Sequence, residues 1–476
     1  MNIAMLASEA APYVKTGGLG DVIQALPAEL ARQQGNRVCL FLPYYKRIKT
    51  DPRVETEFLG SFHIRLAWRE SYVGIFRRKV CTDGVELYFI DNDYYFGARG
   101  AVYGEFDDGE RFAYYSKAAL AAMYFLDFKP DILHCHDWQA AAAVADYRAF
   151  YADWSPQTKT VFTIHNIEYQ GWADAAFFDH TLGLPERFRQ TMSFDGAVNL
   201  MKSAIALADV VTTVSRSYAE ELRYPYFAHR LEYVLRDTWL CGITNGIDTN
   251  VFNPATDPAL VCNYSAENPH GKAENKTALR EELGLRQDTD APILAMVSRL
   301  AGHKGIDLLC YNANRLAERD VQLVIVGTGE RQYEYALGAL AAQHPGKVAV
   351  CLRFDAQLAS RVYAGADIYL MPSRSEPCGL SQLIAMHYGT IPVVSATGGL
   401  KDTVEPYDPT TGRGSGFTFQ SYNADDFLGA IDRATGLYYG DRAAWRRLIG
   451  HDMLLDVSWR KPAAEYMRLY VQLLQR

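Results

Sequence analysis

Short apolar runs alternate with longer amphipathic stretches along the chain, at residues 3–7, 37–42, 131–134, 159–164 and 210–214. Runs that are apolar throughout predict strands buried on both faces of a parallel sheet, with the amphipathic stretches as crossover helices. The series resumes at 292–297, 322–326, 348–352, 368–371 and 392–395, which predicts a second sheet of the same kind. The expected fold class is therefore α/β, with two doubly wound parallel-sheet domains. Between the two series lies CGITNGIDTNVFNP, residues 241–254, whose Gly, Asn and Pro suit a hinge, so the boundary falls near residue 245. Residues 60–78 alternate in part, with Phe62, Ile64, Leu66, Trp68 and Tyr72 among polar neighbours, which fits an antiparallel hairpin inserted in the first domain.

Length agrees with two domains, because the chain has 476 residues and single hydrophobic cores stop growing at about 250 to 300. Hydrophobic residues at 49% and charged residues at 22% supply ample core and exclude a disordered or fibrous chain. A net charge of -8 disfavours a broad cationic face, so no nucleic-acid partner is expected, whereas a small anion needs only a local basic cluster. Eight Cys without a CxxC pair fit buried thiols in a reducing compartment, and a cytoplasmic location is expected. The N-terminus, MNIAMLASEAAPYVK, lacks a basic leader and reads as a first strand. Nowhere do 18 apolar residues run together, so no membrane span is expected.

In open α/β sheets ligands bind beyond the carboxyl ends of strands, and two such sheets facing each other make a cleft. The first strand is followed by SEAAPYVKTGGL. There Gly17 and Gly18 allow close approach of backbone to a phosphate and Lys15 supplies a mobile cation. By spacing alone, a plain strand-to-helix turn with a solvated lysine reads the same. In the second half, Arg299 and Lys304 follow the strand at 292–297 and suit a pyrophosphate, the arginine binding bidentately and the lysine as a point charge. VGTGERQ at 326–332 begins like a dinucleotide fingerprint, but Gln332 stands where a third small residue is wanted. Glu376 sits between Ser375 and Pro377 in PSRSEPCGL, a stiffened loop at a strand end. The cluster His134, Cys135, His136 and Asp137 invites a zinc reading. Strand neighbours diverge, however, and no second ligand cluster appears, so no metal is expected. Asp137 and His165 read better as polar groups converging on a hydroxyl-rich substrate, although Asp137 would also serve as a helix cap.

KTGGLGDV at 15–22, HCHDW at 134–138, TNGID at 244–248, EPCGL at 376–380 and TGGLKDTV at 397–404 together resemble bacterial glycogen synthases and plant starch synthases. The resemblance runs in the same order over nearly the whole chain. It implies a GT-B fold of two Rossmann-like domains facing a cleft, with acceptor and catalytic groups in 1–244 and the nucleotide sugar in 245–456. A C-terminal helix within 457–476 would return to the first domain. The implied enzyme is a retaining hexosyltransferase that moves glucose from ADP-glucose to the nonreducing end of an α-1,4-glucan and releases ADP, with no cofactor. It would work in the cytoplasm, or in the plastid stroma for a mature plant enzyme.

Residue by residue, the resemblance puts Lys15 on the donor, Arg299 and Lys304 on its diphosphate, and Glu376 beside the transferred glucose. Asp137, His165 and Asn166 would face sugar and acceptor, and Phe354 would stack on adenine. Gly17, Gly18, Asn245, Cys378, Gly379 and Leu380 complete the donor set. Many related retaining transferases carry a second glutamate eight positions after the first, where this chain has Ile384; glycogen and starch synthases usually lack it too. Closure about Asn245 and Gly246 is expected during catalysis. A UDP-glucose-using transferase and a noncatalytic glucan-binding protein of the same fold are the alternatives. The sequence leaves open oligomeric state and the choice between covalent and front-face retention.

Overall fold

Strand β1 (Asn2–Leu6) is almost wholly buried, as its unbroken apolar run requires. In the computed structural model, which describes residues 1–476, it lies inside a nine-stranded sheet. The remaining strands of that sheet are β2 (Arg37–Pro43), β3 (Thr56–Leu66), β4 (Arg69–Arg78), β5 (Val85–Asp91), β6 (Ile132–His136), β7 (Lys159–Ile164), β11 (Val210–Thr213) and β12 (Leu240–Gly242). Their order is β12-β11-β7-β6-β1-β2-β5-β4-β3. The seven strands from β12 to β5 run parallel, while β4 and β3 are antiparallel additions at one edge. A three-stranded sheet of β8 (Trp172–Ala173), β9 (Ser193–Phe194) and β10 (Ala197–Asn199) sits in the same unit.

Two expectations change here and one is sharpened. The antiparallel hairpin predicted at 60–78 is present as β3 and β4. It extends the main sheet through β5, a strand the pattern missed because Glu86 interrupts its apolar run. The strand expected to end at His134 continues to His136, so His134, Cys135 and His136 are strand residues with no exposed surface. Nor do His134 and His136 diverge: two apart on one strand they share a face, and their ring centroids lie 4.0 Å apart.

The second sheet has the order β15-β14-β13-β16-β17-β18. It comprises β13 (Ile293–Val297), β14 (Gln322–Val326), β15 (Val348–Cys351), β16 (Ile368–Met371), β17 (Ile391–Ser395) and β18 (Phe417–Phe419). All of its pairings are parallel, and a separate apolar cluster covers each of its two faces. The chain divides into one unit of Met1–Asn245 with Trp459–Arg476 and another of Gly246–Ser458. No helix is long and apolar enough to cross a membrane.

The last helix, Arg460–Leu474, buries Ala463, Tyr466, Leu469, Tyr470 and Leu473, one apolar stripe at helical spacing. That stripe joins the core of the first unit and packs on the helix Gly18–Ala31. Tyr470 also supplies a polar contact: its hydroxyl lies 2.7 Å from His134 Nδ1. The other nitrogen of His134 is 2.5 Å from the hydroxyl of Thr163. Removing one partner from a buried pair costs about 1 to 3 kcal/mol. Tyr470→Phe keeps the apolar contact and strands His134 Nδ1, so it should lower the apparent Tm of the first unit by about 2 to 4 °C per kcal/mol lost. Thermal unfolding checks this, and an unchanged Tm would show the contact to be idle.

Candidate active site

Both sheets are built outward from one strand, first to one side and then to the other. In the first unit the reversal falls between β1 and its neighbour β6, and in the second between β13 and its neighbour β16. At such a point adjacent loops leave in opposite directions and open a crevice beyond the strand ends, where α/β folds bind ligands. The loops after these four strands carry Lys15, Asp137, Arg299 with Lys304, and Glu376 respectively.

After β1, the turn that delivers Lys15 is organised by Glu9, a buried carboxylate. It accepts hydrogen bonds from the amide of Thr16, from the Thr16 hydroxyl at 2.8 Å, from the amide of Gly17 at 3.3 Å and from the Tyr103 hydroxyl at 2.6 Å. The helix Gly18–Ala31 starts directly behind it. A side chain built on Gly17 would meet nothing within 4 Å, so this face of the turn is open. Lys15 is not simply a solvated lysine, because Asp21 in the first helical turn holds its Nζ at 2.7 Å. An exposed pair of this kind is worth about 0 to 1 kcal/mol, little enough to be exchanged for a ligand anion.

Asp137 follows β6 at φ 58° and ψ 179°, a backbone conformation that costs a non-glycine residue about 1 to 3 kcal/mol. It does not cap the helix Trp138–Asp146 with its side chain. Its Oδ1 instead accepts the amides of His165 at 2.7 Å and Asn166 at 3.4 Å. The carboxylate thus fixes the loop after β7, while Asn166 turns its own side chain back to the amide of Glu168 at 2.9 Å. Burial pushes the Asp137 carboxyl up to about 7, against the two amide bonds that favour its ionised form, and Glu9 adds to the rise. Burial likewise pushes His165 down to about 3, so its ring is neutral. His165 Nε2 lies 2.9 Å from Nδ1 of His136.

In the second unit, Arg299 is exposed and its guanidinium makes no hydrogen bond or ion pair. Lys304 closes a short helical turn, and its Nζ lies 2.7 Å from Oε2 of Glu376. The same oxygen accepts the Ser373 hydroxyl at 3.0 Å, which leaves Oε1 of this nearly buried carboxylate uncommitted. Two backbone features bring the loops together. Gly305 has φ 76°, and a Cβ there would strike the carbonyl of Pro372; the amide of Arg374 donates to His303 at 2.9 Å. Gly399 donates to the carbonyl of Glu376 at 3.0 Å, and a Cβ there would collide with Cys378 backbone.

Gln382 ties the same loop down, donating to the carbonyls of Cys378 at 3.1 Å and Gly379 at 3.0 Å and to Thr403 at 3.0 Å. Cys378 is buried, and Leu380 precedes the helix Ser381–His387. Phe354 is 86% exposed beyond β15, a bare ring face. Asn245 is buried with its Oδ1 unpaired. The fingerprint-like glycines after β14 are engaged within the chain itself: Gly327 gives its amide to the carbonyl of Cys351 at 3.0 Å and Gly329 to Glu334 at 2.9 Å, while Glu330 takes the amide of Gly302 in the loop after β13 at 2.9 Å.

Residues 2–237 match the starch synthase catalytic domain and residues 277–445 the group 1 glycosyl transferases. Glycogen synthases from Clostridium botulinum strain Alaska E43 and from Bacillus anthracis are 45% and 43% identical, each over the whole of both chains. One from Exiguobacterium sibiricum is 45% identical over 99% of this chain and 98% of its own. The chain belongs to the glycogen and starch synthase family.

The catalytic domain of starch synthase IV from Arabidopsis thaliana, solved bound to ADP and acarbose, superposes with a TM-score of 0.92 at 36% identity, covering 100% of this chain and 99% of that one. Sucrose-phosphate synthase from Thermosynechococcus elongatus, at 20% identity and TM-score 0.62, covering 100% and 99%, shares the fold. The fold is GT-B, and the chain is a glycosyltransferase.

Within this family member, Glu9, Tyr103, Ser373 and Gln382 hold the site loops and went unnoticed in the sequence. Glu9 alone left a signal, an acid placed straight after a buried strand. The Asp137 geometry has a pH consequence with a definite sign. A carboxyl raised in the folded state retains its proton after the unfolded chain has lost its own, so stability falls as pH rises from about 4 to about 7. His165 and His136, lowered by burial, act oppositely, stabilising increasingly as pH rises toward 6.5. Comparing wild type with Asp137→Asn isolates the first effect. The variant should gain Tm relative to wild type progressively between pH 4 and 7, and parallel Tm curves would contradict the raised carboxyl.

Proposed function

We propose that this chain transfers glucose from ADP-glucose to the nonreducing end of an α-1,4-glucan, with retention at the anomeric carbon. The observation that carries the reading is the state of Glu376: one carboxylate oxygen is pinned by Lys304 and Ser373 while the other is free for a ligand. A carboxylate so divided can hold a sugar without losing its own position. Support comes also from the relative solved with ADP and acarbose, whose ligands are a nucleoside diphosphate and an oligosaccharide.

Glycosidic cleavage from a nucleotide sugar concentrates negative charge on the departing diphosphate. Arg299 is unpaired and offers a planar fork suited to phosphate oxygens. Lys304, already placed by Glu376, follows as a compact charge. At about 1.5 to 3 kcal/mol for each charge-assisted contact, the two supply about 3 to 6 kcal/mol, a rate factor of about 10² to 10⁴ if realised in the transition state. Lys15 reaches the donor by exchanging Asp21 for phosphate, and the face of Phe354 takes the adenine. Asn166, Asn245, Gly17, Gly18, Cys378, Gly379 and Leu380 shape the donor surface. On the acceptor side, Asp137 sets the position of His165, which meets the sugar as a neutral group.

Nucleotide release from ADP-glucose and UDP-glucose with glycogen as acceptor tests the assignment. ADP-glucose should give the higher kcat/KM by at least tenfold, and equal values would remove the donor assignment. The cations are expected to suffice without a divalent ion, so activity lost to EDTA and restored by Mg²⁺ would overturn their role.

Glu376→Gln should lower kcat by about 100-fold or more while ADP binds as well or better, since Lys304 is then released from its counter-ion. Arg299→Ala should weaken ADP binding about tenfold and lower turnover too. Wild-type turnover in a stable Glu376→Gln protein would refute the catalytic assignment.

A further inference from the structure

His136 takes no part in the chemistry described so far, yet it stands directly behind His165. It has no exposed surface, its Nδ1 lies 2.9 Å from His165 Nε2, and its own Nε2 is buried without any partner. Neighbouring His134 offers no alternative partner, because its ring lies 4.0 Å away by centroid and both of its nitrogens are engaged, with Tyr470 and with Thr163.

Two neutral rings sharing one hydrogen bond have two possible proton arrangements. In one, His165 donates from Nε2, and His136 must then carry its proton on Nε2, leaving an orphaned N–H in a dry interior. In the other, His136 donates from Nδ1 and only a bare lone pair is left at the orphaned position. Orphaned buried N–H groups are rarer and costlier than under-used acceptors. The second arrangement therefore holds, and it places the proton of His165 on Nδ1, the nitrogen with no hydrogen bond inside the chain. Protonating both rings is opposed by burial, which pushes each histidine below its ordinary range.

We propose that His136 is a positioning residue that locks His165 in the Nδ1–H tautomer, so that His165 presents a permanent, uncharged hydrogen-bond donor to an oxygen of the bound sugar. This rests on the reading of His165 as a sugar-facing group. Without the lock, His165 would exchange tautomers and spend part of its time offering a lone pair where a donor is needed.

Nitrogen-15 spectra of the full chain labelled on histidine test the tautomer without any assay of turnover, with the His165 signals identified by their loss in His165→Gln. Wild type should show Nδ1 protonated and Nε2 bare. His136→Asn keeps an N–H near the Nδ1 position, whereas His136→Asp offers only acceptors and His136→Leu offers nothing. The Asp variant should move the His165 proton to Nε2. Asp and Leu variants should lose about tenfold or more in kcat with ADP affinity unchanged, and the Asn variant should recover at least fivefold over Leu.

Nε2–H in wild-type His165, or an Asn variant no better than Leu at equal Tm, would overturn the proposal. Full activity in His165→Gln would instead remove the sugar-facing reading and any kinetic role for His136, and the measured tautomer would stand apart from that result. Should the variants fail to fold, the wild-type spectrum alone decides.

Discussion

A parallel strand buried on both faces has room for polar chemistry only past its carboxyl end. Strands β1, β6, β13 and β16 are short and buried along almost their whole length. Backbone groups, glycines and charged side chains that are to meet a ligand must therefore gather in the loops at their carboxyl ends. There the reversal of strand order parts two neighbouring loops. Chemistry collects at β1 with β6 and at β13 with β16 for a topological reason, before any particular side chain is considered.

Polar groups that do enter the interior obey a second constraint: each needs a partner or a reason to lack one. His134 satisfies the rule by bonding Thr163 on the next strand and Tyr470 on the last helix, and Thr163 passes the network to Thr212 at 2.6 Å. The terminal helix is thus selected by an apolar stripe and then fixed in register by one hydroxyl. His136 obeys the rule on one side only. A half-satisfied buried histidine costs free energy, which makes its placement beside His165 informative.

The strands were legible because unbroken apolar runs have one common use, and 159–164, 322–326 and 368–371 coincide with β7, β14 and β16. Strand β5 escaped because Glu86, paired with Arg37, breaks its pattern at the only place where a charge reaches solvent. The small sheet of β8, β9 and β10 has strands of two or three residues, too short for any periodicity. Of the site, the residue types could be read but not their pairing. Spacing along the chain cannot tell that Lys304 faces Glu376 across 72 positions, or that Asp137 aims at the next loop instead of capping its own helix. Glu9 illustrates the deeper limit: its place near the end of a buried strand marks it as unusual, but the amides and hydroxyls it accepts, from Thr16, Gly17 and Tyr103, follow no spacing that would reveal its role.

The cations differ in how they wait for an anion, and exposure explains the difference. Lys15, 39% exposed, is paired with Asp21 in surroundings where water screens the bond and exchange is cheap. Lys304 is 21% exposed and its partner Glu376 only 7%, so that bond is stronger, and losing Lys304 would strand a nearly buried carboxylate. Arg299 needs no counter-ion because it stands in solvent. Arg299 is accordingly open to an anion at no cost, and Lys15 at little. An anion at Lys304 would share it with Glu376 instead of displacing it, because displacement would strand a buried carboxylate. That asymmetry keeps Glu376 stationary with its second oxygen free, the condition under which a carboxylate can face a developing positive charge on a sugar.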